Sequence, residues 1–160
     1  MEFEDLQAFI KRNSKITSLK IDYTDEGDIY HYKINSNGMI YEFKLTNDGE
    51  NIKMECNNTI IDNDNDIQLE LFEMLNYKNI EYIDCYILKK RNETNFEILD
   101  MYDDYYDNVE KKLICNRSFK KNNKQLRIKI IYQNDDYILI YNGEEIIGFD
   151  EIIRKLDLIL

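Results

Sequence analysis

The chain has no proline, no tryptophan, one histidine, three cysteines and five glycines among its 160 residues, and its only alanine is Ala8. Each scarcity removes something. The five glycines are scattered as turn punctuation and form neither a GxGxxG nor a P-loop run, so the phosphate-cradling loops of familiar nucleotide-dependent enzymes are missing. Cys56, Cys85 and Cys115 stand 29 and 30 residues apart with no CxxC pair. An odd count without a secretory signal points to free thiols in a reducing compartment. No run approaches the roughly 18 apolar residues that a membrane helix needs. The N-terminus, MEFEDLQAFIKRN, is acidic and amphipathic, unlike the basic start and apolar run of a signal peptide. The expectation is a cytoplasmic protein, of a bacterial cell or of a virus- or phage-infected host.

The missing residue types mostly have G/C-rich codons, and the abundant ones (Asn, Asp, Ile, Lys, Tyr) have A/T-rich codons. This bias implies an A/T-rich genome, such as that of a low-GC bacterium, a phage or a large DNA virus. It also discounts any single cluster of these residues as a motif.

Hydrophobic residues make up 43% of the chain and aromatics 12%, enough for a packed core in one domain spanning residues 1–160. The formal net charge is −11, which argues against direct DNA binding, because a phosphate backbone requires a positive footprint. Residues 89–129 run the other way, with eleven basic side chains against seven acidic ones. Lys89, Lys90, Arg91, Arg117, Lys120, Lys121 and Lys124 are the residues from which a basic patch would be built.

Phe3, Leu6 and Ile10 recur at helical spacing, so residues 3–12 are expected to form a short amphipathic helix. Residues 19–56 then alternate apolar and polar side chains between Glu-Gly, Asn-Gly and Asp-Gly turns, the signature of a β-meander. A two-residue turn at Asn37-Gly38 pairs Ile34 with Tyr41, Tyr32 with Phe43 and Tyr30 with Leu45 on one face. The same register pairs Lys33 with Glu42 on the other. A third strand over 51–56 adds Ile52, Met54 and Cys56 to the apolar face.

Asn65 or Asp66 caps an expected helix that buries Ile67, Leu71, Met74 and Leu75. Residues 79–90 read as a central strand, apolar on both faces. In 95–114, Phe96, Leu99, Tyr102, Tyr106, Val109 and Leu113 step by three or four, which predicts a helix. FKKNNKQ is expected to be a polar loop, followed by a second meander over 126–149 and a closing helix. Both meanders end in a helix, which admits a duplication. The fold class is α+β: antiparallel meanders packed against three to four helices.

Chemistry-bearing constellations are few. His31 falls on the polar face opposite Lys44, with no nucleophile motif beside it. The four serines sit in no elbow-like context, and the cysteines are too dispersed to suggest a Cys3His zinc site. Asp62, Asp64, Asp66 and Glu73 match part of a calcium loop, but Ile67 occupies the position that needs glycine. No cofactor and no metal is expected. In DMYDDYYDN, a helix would align Asp100, Asp104 and Asp107 as a solvated ridge, flanked by Asp103 and Tyr105. Such a convex ridge suits the docking of a basic partner, with carboxylates accelerating encounter and Tyr105 adding contact area.

The expected function is a non-enzymatic acidic interaction protein that binds and inhibits or neutralises a basic partner. A nuclease or another nucleic-acid-handling effector fits, in the manner of an immunity or phage/viral anti-defence protein. Alternatives are a small enzyme or nucleic-acid processor using His31 or the 62–73 carboxylates, and a structural subunit of a viral or cellular assembly.

Overall fold

The computed structural model describes residues 1–160 and shows an α+β fold with four helices and two five-stranded antiparallel sheets. The chain partitions into two compact units, Met1–Lys78 and Asn79–Leu160. No helix is long and apolar enough to cross a membrane.

The first unit runs α1 (Phe3–Asn13), β1 (Lys15–Thr24), β2 (Gly27–Ser36), β3 (Met39–Asn47), β4 (Ile52–Cys56), β5 (Thr59–Ile61) and α2 (Asp64–Met74). Its strands are hydrogen-bonded in chain order, each to the next. The hairpin at Asn37-Gly38 has the expected register, with Ile34 opposite Tyr41, Tyr32 opposite Phe43 and Lys33 opposite Glu42. Tyr32, Ile34, Phe43, Leu45, Ile52, Met54 and Cys56 line the inner face, closed by Phe3, Leu6 and Ile10 of α1 and by Ile67, Leu71 and Met74 of α2. The cap of α2 is Asn63, whose side chain accepts from the backbone N–H of Asn65 (3.0 Å) and Asp66 (3.3 Å). The helix therefore starts slightly earlier than Asn65 or Asp66 as caps would place it.

The second unit runs α3 (Ile80–Glu93), β6 (Glu97–Asp107), β7 (Lys112–Lys121), β8 (Lys124–Gln133), β9 (Asp136–Tyr141), β10 (Glu144–Ile147) and α4 (Phe149–Ile159). Two expected elements are exchanged here. Residues 79–90 are helical, capped by Asn79 through the N–H groups of Glu81 and Tyr82. An apolar run of that length fits a buried strand or a buried helix equally well, and the cap decides. The segment expected to be a helix is the edge strand β6 with its turn into β7. Register shifts between Ile98 and Asp100 and between Asp100 and Asp103 interrupt its alternation. Apolar residues on a bulged strand consequently recur at irregular steps that imitate a helical period. Tyr102 and Val109 are more than nine-tenths exposed, so neither belongs to a buried stripe. FKKNNKQ is likewise hairpin, with only Asn122 and Asn123 outside β7 and β8.

Five two-residue turns share one solution: Asn37-Gly38, Asn57-Asn58, Asn122-Asn123, Asn134-Asp135 and Asn142-Gly143 all have positive φ at both positions. That is the type I′ geometry whose twist matches antiparallel strands, and Asn, Asp and Gly tolerate it best. The abundance of asparagine thus has a structural use beyond codon bias.

Both units have the same element order, helix, five-strand meander, helix. Gly27 and Lys112 open β2 and β7, Met39 and Lys124 open β3 and β8, and Asp64 and Phe149 open α2 and α4. Each pair is 85 residues apart.

Candidate interaction surface

In an antiparallel sheet, residues directly opposite one another across strands form rows on one face. One such row crosses the whole second sheet: Tyr105, Ile114, Ile131, Ile138 and Ile147 are successive partners. It lies on the outer face, because the core is built from the alternate positions Cys115, Phe119, Ile128, Ile130 and Leu139. Tyr105 and Ile147, at the two edges, are 50% and 58% exposed, whereas Ile114 is buried and Ile131 and Ile138 are half-buried.

Polar rows border the apolar one. On one side run Asp103, Asn116, Lys129, Ile140 and Glu145. On the other, Asp107 faces Lys112, and Gln133 faces Asp136. Lys112 is neutralised by Glu110. Asp103, Asp107, Glu110, Asp136 and Glu145 therefore outnumber Lys112 and Lys129, giving an apolar strip with an acidic rim.

The five residues expected to contact a partner separate here. Asp103, Tyr105 and Asp107 share the outer face of β6, their alternation with Asp104 and Tyr106 being set by the register against β7. Asp103 accepts from Asn116 Nδ2 (3.2 Å). Asp107 Oδ1 caps the following turn, accepting from the N–H of Val109 (2.9 Å) and Glu110 (3.0 Å); it does not pair with Lys111 as a helix would require. Asp100 sits at the bulge, where it accepts from the N–H of Tyr102 (2.9 Å). Asp104 points the other way. With Asp84 of α3 it encloses the guanidinium of Arg117, whose side chain is fully buried. The helical carboxylate ridge thus does not form.

Arg117 uses all five of its N–H donors. Nε and Nη2 donate to the two oxygens of Asp84 (2.9 and 3.0 Å), and Nη1 and Nη2 donate to the two oxygens of Asp104, the latter at 3.2 Å. The fifth donor reaches the carbonyl of Asn116 (3.0 Å). Burial opposes the guanidinium's charge, but the hydrogen bonds to Asp84 and Asp104 more than reverse this, holding its pKa above the usual value. Burial raises the Asp84 carboxyl, with Arg117 acting against the rise. Arg117 is thus unavailable to a basic patch. Lys90 is also engaged, by Asp157 at 2.9 Å, and Lys121 donates to the Leu160 carbonyl.

The remaining candidates are placed as follows. His31 lies opposite Lys20 and Lys44 on the open face of the first sheet, and its Nε2 is 2.7 Å from Asp22 Oδ2. All three cysteines are buried and none is in a disulfide; Cys85 is on a helix, not a strand. Asp62, Asp64, Asp66 and Glu73 do not converge, and no group of three His, Cys, Asp or Glu side chains is arranged to hold a metal ion. Sequence reasoning missed the apolar outer row and the Asp84–Arg117 contact. The row had a signal: Ile130-Ile131 and the unbroken apolar run Tyr137–Tyr141 offer apolar side chains to both faces. The Asp84–Arg117 contact spans 33 residues and had none.

No protein-family model, curated protein or solved structure matches this chain at a significant level.

Proposed function

We propose that this is a non-enzymatic acidic interaction protein that binds a basic partner through the outer face of its second sheet and neutralises it. The observation that supports this reading is the apolar row from Tyr105 to Ile147 with its acidic rim. Protein interfaces combine an apolar centre with a polar border, and aromatic residues such as Tyr105 are favoured anchors. Carboxylates at the rim steer a cationic partner and set the rate of encounter more than the final affinity. A nuclease or other nucleic-acid-handling effector carries the required positive surface, because it must itself attract phosphate. An immunity or phage/viral anti-defence role is the biological setting in which a small acidic chain of this kind acts.

The test compares the parent chain with Asp103→Lys/Asp107→Lys and with Tyr105→Ala, each used to capture partners from the native host. Asp104 is left intact because it holds Arg117. The expected result is a basic partner whose association slows by roughly tenfold or more with the reversed charges and with added salt. Loss of Tyr105 should weaken affinity by about 2 kcal/mol. A basic partner retained equally by all three chains would refute this surface, and a captured partner that is acidic would refute the charge argument.

A further inference from the structure

On the open face of the first sheet a second feature stands independently of the partner-binding reading. Lys20, His31 and Lys44 are consecutive partners across β1, β2 and β3. Adjacent strands are about 4.8 Å apart, so two ammonium groups flank one imidazole within a short cross-strand row. Lys44 faces Glu55 of β4 without closing to an ion pair, Lys20 has no ion-pair partner, and the neighbouring Lys33 is matched with Glu42 at 3.6 Å. Asp22 holds His31 through Nε2 and leaves Nδ1 without a protein partner.

This row forms part of the floor of a concavity of about 550 Å³. Asn57 and Asn58 line it from the β4–β5 turn, where positive φ at both residues fixes the backbone. Glu42 and Glu55 also line it. Cations and carboxylates alternate across its lining, Lys44 facing Glu55 and Lys33 facing Glu42. The corresponding row of the second sheet, Asp103, Asn116 and Lys129, has no such run of cations.

We propose that this face binds the phosphate group of a small, hydroxyl-bearing phosphomonoester. Lys20 and Lys44 hold the tetrahedral oxyanion, which offers more acceptor oxygens than a carboxylate, with Asn57 and Asn58 at its side and Nδ1 of His31 placed to accept from a protonated phosphate oxygen. Glu42 and Glu55 accept hydrogen bonds from the hydroxyls of the organic part. The open, shallow form suits rapid, reversible binding.

His31 is the only histidine, so its ring resonances report the site without assignment ambiguity. The experiment follows them by NMR while inorganic phosphate, glycerol phosphate or glycerol is added to the full chain at constant ionic strength, with chloride as the control. The expected result is a saturable shift with inorganic phosphate at a Kd of about 1 mM, tighter binding of glycerol phosphate, and no response to glycerol. Tighter binding of glycerol phosphate identifies an esterified phosphate as the ligand. Equal affinity for the two would retain the oxyanion site but overturn the role of Glu42 and Glu55. Lys20→Gln/Lys44→Gln should weaken phosphate binding at least roughly tenfold, whereas Lys53→Gln, outside the concavity, should not. A response no larger than that to chloride would overturn the proposal. So would a single-stranded oligonucleotide that binds far more tightly than either phosphate compound, because the face would then be a strand-binding track.

Discussion

The two units bury the same positions. At a spacing of 85 residues, Ile34 matches Phe119, Leu45 matches Ile130, Met54 matches Leu139, Ile67 matches Ile152 and Leu71 matches Leu156, and every one of these is essentially inaccessible. Two pairs differ in kind. Tyr32, stacked on Phe43 at 5.2 Å between ring centroids, corresponds to the buried Arg117. Phe72, which meets Phe9 and Tyr77 ring to ring, corresponds to Asp157, which accepts from Tyr86 and Lys90. At the Tyr32 position the first unit buries a ring and the second a fully paired guanidinium, whereas Asp157 is exposed and the second unit keeps ring contacts of its own, such as Phe96 with Phe119. One backbone plan therefore admits either solution, provided the charged one is fully satisfied. Rings contribute apolar burial and tolerate small shifts; the guanidinium fixes α3 against β6 and β7 through two forks whose geometry admits little slack.

The sharpest way to break this comparison is Arg117→Met. Removing the cation leaves Asp84 and Asp104 facing each other without it, and the expected loss of unfolding free energy is about 3–5 kcal/mol by urea titration. Adding Asp84→Leu, which removes the more buried of the two carboxylates, should recover most of that loss. A loss below about 1 kcal/mol for Arg117→Met would mean the charged cluster is incidental to stability.

A smaller effect is expected where the units differ at a turn. Gly27 has φ +128°, and a Cβ there would stand 2.8 Å from the Asn47 carbonyl oxygen, whereas the corresponding position in the second unit is Lys112. Gly27→Ala should therefore cost about 1–3 kcal/mol through backbone strain, read as a lowered thermal midpoint. Gly143→Ala, in open space but also at positive φ, should cost about 1 kcal/mol. Equal losses at the two glycines would show that the close approach to Asn47 adds nothing.

An effect of similar size, visible only at alkaline pH, concerns the thiols. Burial, with help from Asp84 and Glu81, pushes Cys85 up to about 12, and burial with Asp104 nearby pushes Cys115 up to about 12. An unfolded thiol ionises near 9, so as pH rises past that value the unfolded chain loses protons that the folded chain keeps. The stability contributed by these groups is complete below about pH 9 and lost as the pH climbs toward 12. At pH 10 the effect should be on the order of 1 kcal/mol per thiol. Unfolding measured between pH 8 and 10 should fall more steeply for the parent chain than for Cys85→Ala/Cys115→Ala, and identical slopes would contradict the assignment.

The outer faces differ as well. The row Tyr105, Ile114, Ile131, Ile138 has as its counterpart Asp22, Ile29, Thr46, Lys53. A polar outer face gives clean alternation, and for that reason the first meander was legible down to its register at Asn37-Gly38. An outer face that is apolar as well blurs the alternation and leaves only the turn residues to mark strands. Residues 79–113 were misread for two local reasons: α3 shows apolar residues on several sides, and the bulges of β6 shift its period. Asp103 and Tyr105 are exposed on the strand, as a helix would also leave them, and Asp107 is half-buried. The pairing of Asp104 with Arg117 had no sequence signal, since strand pairing alone brings the two together.

The bulges of β6 have one more consequence. An eleven-residue edge strand bearing three tyrosines is the kind of template on which copies of a chain stack into fibrils. Register shifts at two points spoil the straight ladder that stacking requires, and four aspartates would lie in register against their own images. Like charges set against their own images disfavour self-stacking, so the acidic residues protect the protein from itself.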